Sequence, residues 1–384
     1  MIVSGDWLTR AETQAVFAML DNAGHKVYAV GGCVRNALMG VAVSDVDMST
    51  DATPDQVISI AKSAGLKPIP TGKDHGTITV VSGGIAHEIT TFRKDVATDG
   101  RRAVVAFSKS VIDDARRRDF TMNALYADKD GKVLDPLAGL ADLKARVLRF
   151  IDDPNQRIRE DYLRILRFFR FHAWYGDPQA GMEPDTLAAI AAQAEGLAKI
   201  SNERIGAEIL KLLAATDPAP SVATMRHCGV LGQILPGGDD RALAPLVHLE
   251  ATMPVPPDAM RRLAVLGGTD VADALRLSKK QTNHLALLRE GLESAETSAV
   301  QAYRHGRDVA LSVALLRAAV FETPVPADLD SDITRAEQAV FPITASDLMP
   351  ALSGADLGRA LKELESHWIA SGFLASKETL LKRL

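Results

Sequence analysis

An α+β head followed by an all-helical remainder is the fold class this sequence predicts, and three observations predict it. Up to about residue 150, short β-branched runs bounded by glycine alternate with helical patterns. Beyond about residue 155 the strand runs fade, and long Ala/Leu-rich segments with a helical repeat replace them. Pro/Gly/Asp clusters at 216–220, 235–240 and 253–257 cut those segments into separate helices. The 384 residues allow two to four packing units, at roughly 100–200 residues each.

In chain order, residues 10–22 read as the first helix and VYAVGG (27–32) as the first strand. Residues 54–64 read as a helix, with Thr53 as N-cap and Pro54 in the first turn. TITVVS (77–82) and AHEITTF (86–92) are strands by their β-branched content. The helical segments beyond are 185–199, 203–214, 258–275, 280–298, 307–321 and 354–384. Seven of the 19 aromatic residues fall between 150 and 175, which predicts a packed junction between head and body. Neither an internal repeat nor a low-complexity tract is present.

Composition excludes several classes. Only Cys33 and Cys228 are cysteines, so a disulfide scaffold and a Cys-rich zinc site are ruled out and a reducing compartment is indicated. The N-terminus lacks a basic start followed by an apolar run. No apolar run reaches the ~18–20 residues of a membrane span. A soluble cytoplasmic protein without membrane contact is expected. The net charge of −5 argues against a nucleic-acid partner. Residues 101–170, however, hold 16 Lys and Arg against 11 Asp and Glu, a local +5 that leaves −10 for the rest. A basic segment in an acidic chain points to a local anion site.

Two constellations carry chemistry. The first strand runs into Gly31-Gly32, then Cys33-Val34-Arg35-Asn36, and Asp45-Val46-Asp47 follows. The glycine pair alone is explained by a tight strand-to-helix turn. It also suits close backbone approach to a phosphate, with Arg35 adding a bidentate contact. Neither a GxGxxG fingerprint nor a P-loop is present. Asp45 and Asp47, at i and i+2 on a strand, point to one face. Two such carboxylates repel unless a cation sits between them, and Mg²⁺ prefers oxygen ligands. Cys33 reads as a small buried filler and His75 as a turn residue.

The second constellation is basic. Asp114-Ala115 precedes Arg116-Arg117-Arg118-Asp119-Phe120, and Arg159-Glu160-Asp161-Tyr162-Leu163-Arg164-Ile165-Leu166-Arg167-Phe168-Phe169-Arg170 lies farther on. On one helix, Glu160, Arg164 and Arg167 share an arc of about 60°, flanked by Asp161. An ion-paired surface face explains that pattern; so does base recognition. Cytosine and adenine each offer an exocyclic amino donor beside a ring-nitrogen acceptor. Asp161 accepting and Arg164 donating would fit both and mismatch uracil and guanine.

These stretches resemble class II tRNA nucleotidyltransferases, the CCA-adding enzymes, and the related bacterial poly(A) polymerases. The resemblance runs through about residues 25–215 in VGGCVRNALMG, SDVDMST, GTITVV, HEITTFRKDV, RRRDFTMNALYAD, DPLAGLADLKARVLRFI, REDYLRILRFFRF and SNERIGAEIL. It implies a polymerase-β-like nucleotidyltransferase head at 1–150, a helical neck at 151–215 with the nucleotide site, a helical body at 216–300 and a helical tail at 301–384 that grips tRNA. By resemblance, Asp45 and Asp47 are the catalytic pair that holds Mg²⁺. Gly32, Arg35 and Arg118 hold the nucleotide, with Gly31 and Arg117 beside them. Asp161 and Arg164 read the base, Arg167 and Arg170 complete the pocket, and Glu160 orients Arg164. Glu88 lies where related folds often carry a third carboxylate. Ser201-Asn202-Glu203-Arg204 resembles a motif that braces the neck. One departure is Asn36, where such families often have Asp.

Full CCA addition from CTP and ATP is the activity the resemblance implies. Residues 92–107 resemble a flexible loop that full CCA-adding enzymes keep, and the body is acidic on balance, whereas poly(A) polymerases of this group tend to carry a basic C-terminal extension. No His-Asp dipeptide occurs, so the phosphohydrolase activity of some relatives is not expected. A poly(A) polymerase is the nearest rival. A catalytically retired RNA- or nucleotide-binding module is the rival of another class. Oligomeric state is not readable from these residues.

Overall fold

A computed structural model describes residues 1–99, 102–349 and 351–383. The chain divides into two units, Met1–Pro236 and Gly237–Leu384. Residues 216–236 thus pack with the neck.

The first unit opens with α1 (Asp6–Thr9) and α2 (Ala11–Asn22), whose Val16, Phe17 and Leu20 are fully buried. β1 (Val27–Val30) ends two residues before the expected run does. Gly31 takes φ +74°, a conformation that favours glycine, and α3 (Gly32–Met39) starts at once. β2 (Asp47–Thr50) and α4 (Pro54–Ser63) follow. Thr53 precedes α4 with Pro54 at its first position, and the Thr53 N–H donates to Gln56 Oε1 at 2.8 Å.

β3 (Lys67–Gly72), β4 (Thr77–Ser82) and β5 (Ile85–Thr91) continue the sheet. β3 escapes a sequence reading because it holds Pro68 and Pro70. An edge strand tolerates proline, whose missing N–H can face solvent. β6 (Arg93–Asp99) and β7 (Arg102–Phe107) pair as an antiparallel ribbon where a loop was expected. The loop's residues 100–101, and the side chains of 95–105, lie outside the described residues. α5 (Val111–Arg116), β8 (Tyr126–Ala127), β9 (Val133–Leu134) and α6 (Gly139–Ala145) complete the head. The main sheet runs β3-β4-β5-β2-β1-β8-β9. β2 and β5 are parallel, with Asp47 opposite Glu88.

α7 (Pro154–Glu160) and α8 (Leu163–Tyr175) form the start of the neck. α9 (Pro184–Gln193), α10 (Asn202–Leu213), α11 (Ala219–His227) and α12 (Val230–Ile234) follow. The aromatic-rich stretch makes a junction. Phe120 of the head lies 4.9 Å from Phe150 and 5.3 Å from Phe171, and Phe150 stacks on Phe168 at 5.8 Å. Such ring pairs add about 0.5–1.5 kcal/mol each beyond their buried area, so α8 is fastened to the head at its middle.

The second unit is helical, with no β-strand among the described residues. The expected helix at 258–275 is two, Ala259–Leu266 and Val271–Ala274. Gly267 and Gly268 between them take φ +66° and +90° and stop the first. The expected run at 354–384 is likewise Gly354–Ala370 and Lys377–Leu381. Inside this unit Glu250 pairs with both Arg261 and Arg262, all three nearly sealed from water. Buried charges are tolerated when paired in this way. Among the described residues, no helix is long and apolar enough to cross a membrane.

Candidate active site

Carboxylates gather on one face of the head's sheet. Asp47 opens β2 and Glu88 sits beside it on parallel β5. Neighbours at one register position share a face, about 4.8 Å apart, and both side chains are exposed. Asp45, also exposed, accepts from Ser44 Oγ at 2.9 Å. The expectation that both aspartates lie on a strand is corrected here, because β2 begins at Asp47. β1 pairs Val27, Tyr28 and Ala29 with Thr50, Ser49 and Met48. The turn at Gly31 then takes β1 away, so nothing pairs with Asp45 or Val46.

Desolvation, then the charge of Glu88, raises the pKa of the Asp47 carboxyl; Arg118 opposes and Asp45 adds to the rise. Among the described residues, no three His, Cys, Asp or Glu side chains converge as a metal-holding group. The donors present are all oxygen, open to solvent and mutually repulsive. That set suits a hard divalent cation. Cys33 below them is buried, and burial, with the Asp47 charge, pushes its thiol up to about 11. It is no nucleophile at neutral pH.

The strand-to-helix turn is packed on arginine. A Cβ on Gly31 would lie 3.3 Å from Arg118 Nη1. Gly32 opens α3, whose first N–H groups have no partner within the helix. Arg35 is the expected site residue that the structure treats differently. It is buried, donates to Asn123 Oδ1 (2.5 Å), Tyr175 Oη (2.8 Å) and Asn36 Oδ1 (2.9 Å), and stacks on the Tyr175 ring at 3.9 Å. In this arrangement it ties α3 to α8 rather than standing open as a phosphate hook. Asn36 fits that arrangement as an amide, since its Nδ2 donates to Ala42 O at 3.1 Å, which a carboxylate cannot do.

Of the three consecutive arginines, Arg116 is exposed, while Arg117 and Arg118 turn to buried Asp114 at 2.6 and 3.2 Å. Tyr126 Oη donates to the same carboxylate at 2.8 Å. Burial alone would raise the Asp114 pKa, but Arg118 and Arg117 outweigh it and hold it low. Arg118 Nη2 also donates to Ser49 Oγ at 3.2 Å. Ser49, two residues after Asp47 on β2, shares its face, so Arg118 borders the carboxylate face.

The neck corrects the single-helix reading of 159–170. α7 ends at Glu160, and Asp161 is extended at φ −154° and ψ 105°. Its Oδ1 accepts the Leu163 N–H at 3.1 Å and its Oδ2 pairs with Arg204 at 2.7 Å. The carboxylate thereby caps α8, which favours a break over a continuous helix. Tyr162 completes the break with its ring on Gly196, where a Cβ would come within 2.0 Å of the ring. Across the break Arg164 still meets Glu160, at 2.6 Å. Arg167 pairs with Asp119 at 2.5 Å, and Arg170 with Glu208 at 2.5 Å.

Sequence reasoning did not select Asp114, Asp119, Asn123, Arg157, Tyr175 or Glu208. Asp114 precedes Arg117 and Arg118 by helical spacing, which was a usable signal. Arg167–Asp119 and Arg170–Glu208 join residues 48 and 38 apart, which no local spacing announces.

Known proteins resemble this chain along nearly its whole length. The model for the poly A polymerase head domain matches residues 27–149. The model described as a probable RNA and SrmB-binding site of polymerase A matches 181–241. The mitochondrial CCA tRNA nucleotidyltransferase 1 of Mus musculus is 33% identical over 374 residues, 93% of this chain and 86% of that one. The CCA-adding enzyme of Limosilactobacillus fermentum is 32% identical over 96% of this chain and 94% of its own. The crystal structure of the Bacillus stearothermophilus CCA-adding enzyme in complex with CTP superposes at a TM-score of 0.70, with 27% identity over 97% of this chain and 96% of that one. The chain belongs to the CCA-adding tRNA nucleotidyltransferase family.

Proposed function

We propose that this chain completes tRNA 3′ ends, adding C, C and A from CTP and ATP and releasing pyrophosphate. The observation that carries the reading is the pairing of an open carboxylate face, Asp45, Asp47 and Glu88, with a bordering Arg118. Relatives named as CCA-adding enzymes over nearly the whole chain support the choice of reaction.

Asp45 and Asp47 would hold Mg²⁺, with Glu88 as a neighbouring carboxylate. A bound Mg²⁺ lowers the pKa of an attacking 3′-hydroxyl and offsets charge on leaving pyrophosphate. Arg117 and Arg118, fixed by Asp114, face the triphosphate from the border of the sheet. Gly31 and Gly32 let it approach the backbone. Asp161 accepts from the exocyclic amino group of C or A, using lone pairs left after Leu163 and Arg204 are served. Arg164 donates to the ring nitrogen with the N–H groups that Glu160 does not take. U and G present the reverse order and are rejected. Arg167 and Arg170, each held by an acid, close the pocket. Positioning and electrostatics supply the rate gain, so no covalent nucleophile is needed. Two free cysteines support a reducing, cytoplasmic location.

A tRNA lacking its CCA, incubated with all four nucleotides, is expected to gain C, C and A and then stop. A long A-tail without C would instead establish the poly(A) polymerase reading that the family descriptions keep in view.

A further inference from the structure

We propose that Arg157 is a positioning residue that couples base reading to the grip on the nucleotide's phosphates. The inference rests on the site reading above. Arg157 is buried in α7, and its two terminal nitrogens face different partners. Nη2 donates to the backbone carbonyls of Arg117, at 2.6 Å, and Arg118. Nη1 donates to Glu160 Oε2. The same Glu160 oxygen accepts from Arg164 Nη1 at 2.6 Å, and that nitrogen also donates to the Arg157 carbonyl at 2.8 Å.

These contacts make one connected path. It starts at the Arg117–Arg118 backbone, where the Arg118 side chain borders the carboxylate face. It passes through the Arg157 guanidinium and the Glu160 carboxylate, and ends on Arg164. A guanidinium is a rigid planar fork, so its angle to the two carbonyls sets its angle to Glu160. A shift of the 117–118 turn is thereby felt at Arg164. Lysine cannot reproduce this, because its donors leave from a single atom. Glu160 is shared by two guanidiniums, so moving either changes how it holds the other.

The test uses the full chain and a tRNA lacking its CCA, with CTP, ATP and UTP supplied singly. Arg157→Lys keeps a cation beside Glu160 but, with one terminal nitrogen, cannot hold Glu160 and the two carbonyls at fixed angles at once. It is expected to raise KM for CTP and ATP together, by about tenfold, while CTP over UTP selectivity stays within about threefold. Arg157→Met removes both links and is expected to lower that selectivity by about tenfold or more as well. Glu160→Gln should lower selectivity, and its effect should be non-additive with Arg157→Met. Should Arg157→Met not fold, Arg157→Lys and Glu160→Gln carry the same test.

Unchanged selectivity in Glu160→Gln and Arg157→Met, or a fall in kcat alone, would reduce Arg157 to a structural rivet and overturn the proposal. If Asp161→Ala alters selectivity while the Arg157 variants do not, only the coupling fails. If none of them alters it, the site reading fails too.

Discussion

The carboxylate face of the head and the arginine cluster of the neck handle charge in opposite ways. Asp45, Asp47 and Glu88 are exposed, and none of them has an ion-pair partner among the described residues. In the neck, Arg164, Arg167, Arg170 and Arg204 each meet an acid: Glu160, Asp119, Glu208 and Asp161. Unbalanced charge suits a ligand of opposite sign, and desolvation with the neighbouring Glu88 raises the pKa of Asp47. Balanced charge has little field to offer at a distance. It offers donors and acceptors fixed in direction, which is what telling one base from another requires. Two of these pairs lie within residues 101–170 and the other two cross its boundary in opposite senses, so the local +5 is unchanged by them; the paired arginines recognise by geometry more than by attraction.

Removing the unbalanced charge should produce the largest effect. Asp45→Ala is expected to cut nucleotide incorporation by about a thousandfold or more, since a metal site is worth several kcal/mol at the reacting phosphate. Binding of tRNA in a gel-shift assay should be nearly unchanged. Chelation by EDTA should mimic the variant and Mg²⁺ should reverse it. Persistent activity in Asp45→Ala would refute the assignment.

A smaller change is expected where charge is balanced. Asp161→Ala should lower discrimination against UTP and GTP by about ten- to a hundredfold, or collapse turnover. It also frees Arg204 and uncaps α8, so circular dichroism should accompany the kinetics. Survival of both rate and selectivity would show that Asp161 does not read the base.

What the sequence disclosed follows the same division. Of the open carboxylates, Asp45 and Asp47 lie within 17 residues of the glycine pair, and their spacing announced them. So did Thr77–Ser82, where strand ends and residue pattern coincide. The break at Asp161 was hidden, because an unbroken helical repeat runs across it. Arg204, 43 residues away, and Gly196, which makes room for Tyr162, help fix the chain in that turn. The inward turn of Arg35 was hidden for a similar reason. Its position beside the glycine pair suggested a phosphate, while Tyr175, 140 residues on, covers it. Local chemistry was readable; the tertiary partners that turn a side chain inward were not.

Asp119 is a balanced charge whose loss should register in stability. Asp119 is buried, with Arg167 on Oδ2 and the Asn123 amide and Phe120 N–H on Oδ1. Burial alone would raise its pKa, but Arg167 and these donors outweigh it and hold it well below the ordinary carboxylate value. A depressed native pKa stabilises the fold above the unfolded-state value, and that stability is lost as pH falls through the native one. Asp119→Asn keeps the shape and removes the charge. It is expected to cost about 2 kcal/mol at pH 7, less than a fully sealed pair because Arg167 still reaches water. Measured by thermal melting, the gap between wild type and Asp119→Asn should be widest near neutrality. It should narrow below about pH 4, where the unfolded carboxylate takes up its proton. A gap that stays constant into acid would mean that packing, not the ion pair, holds Arg167 in the neck.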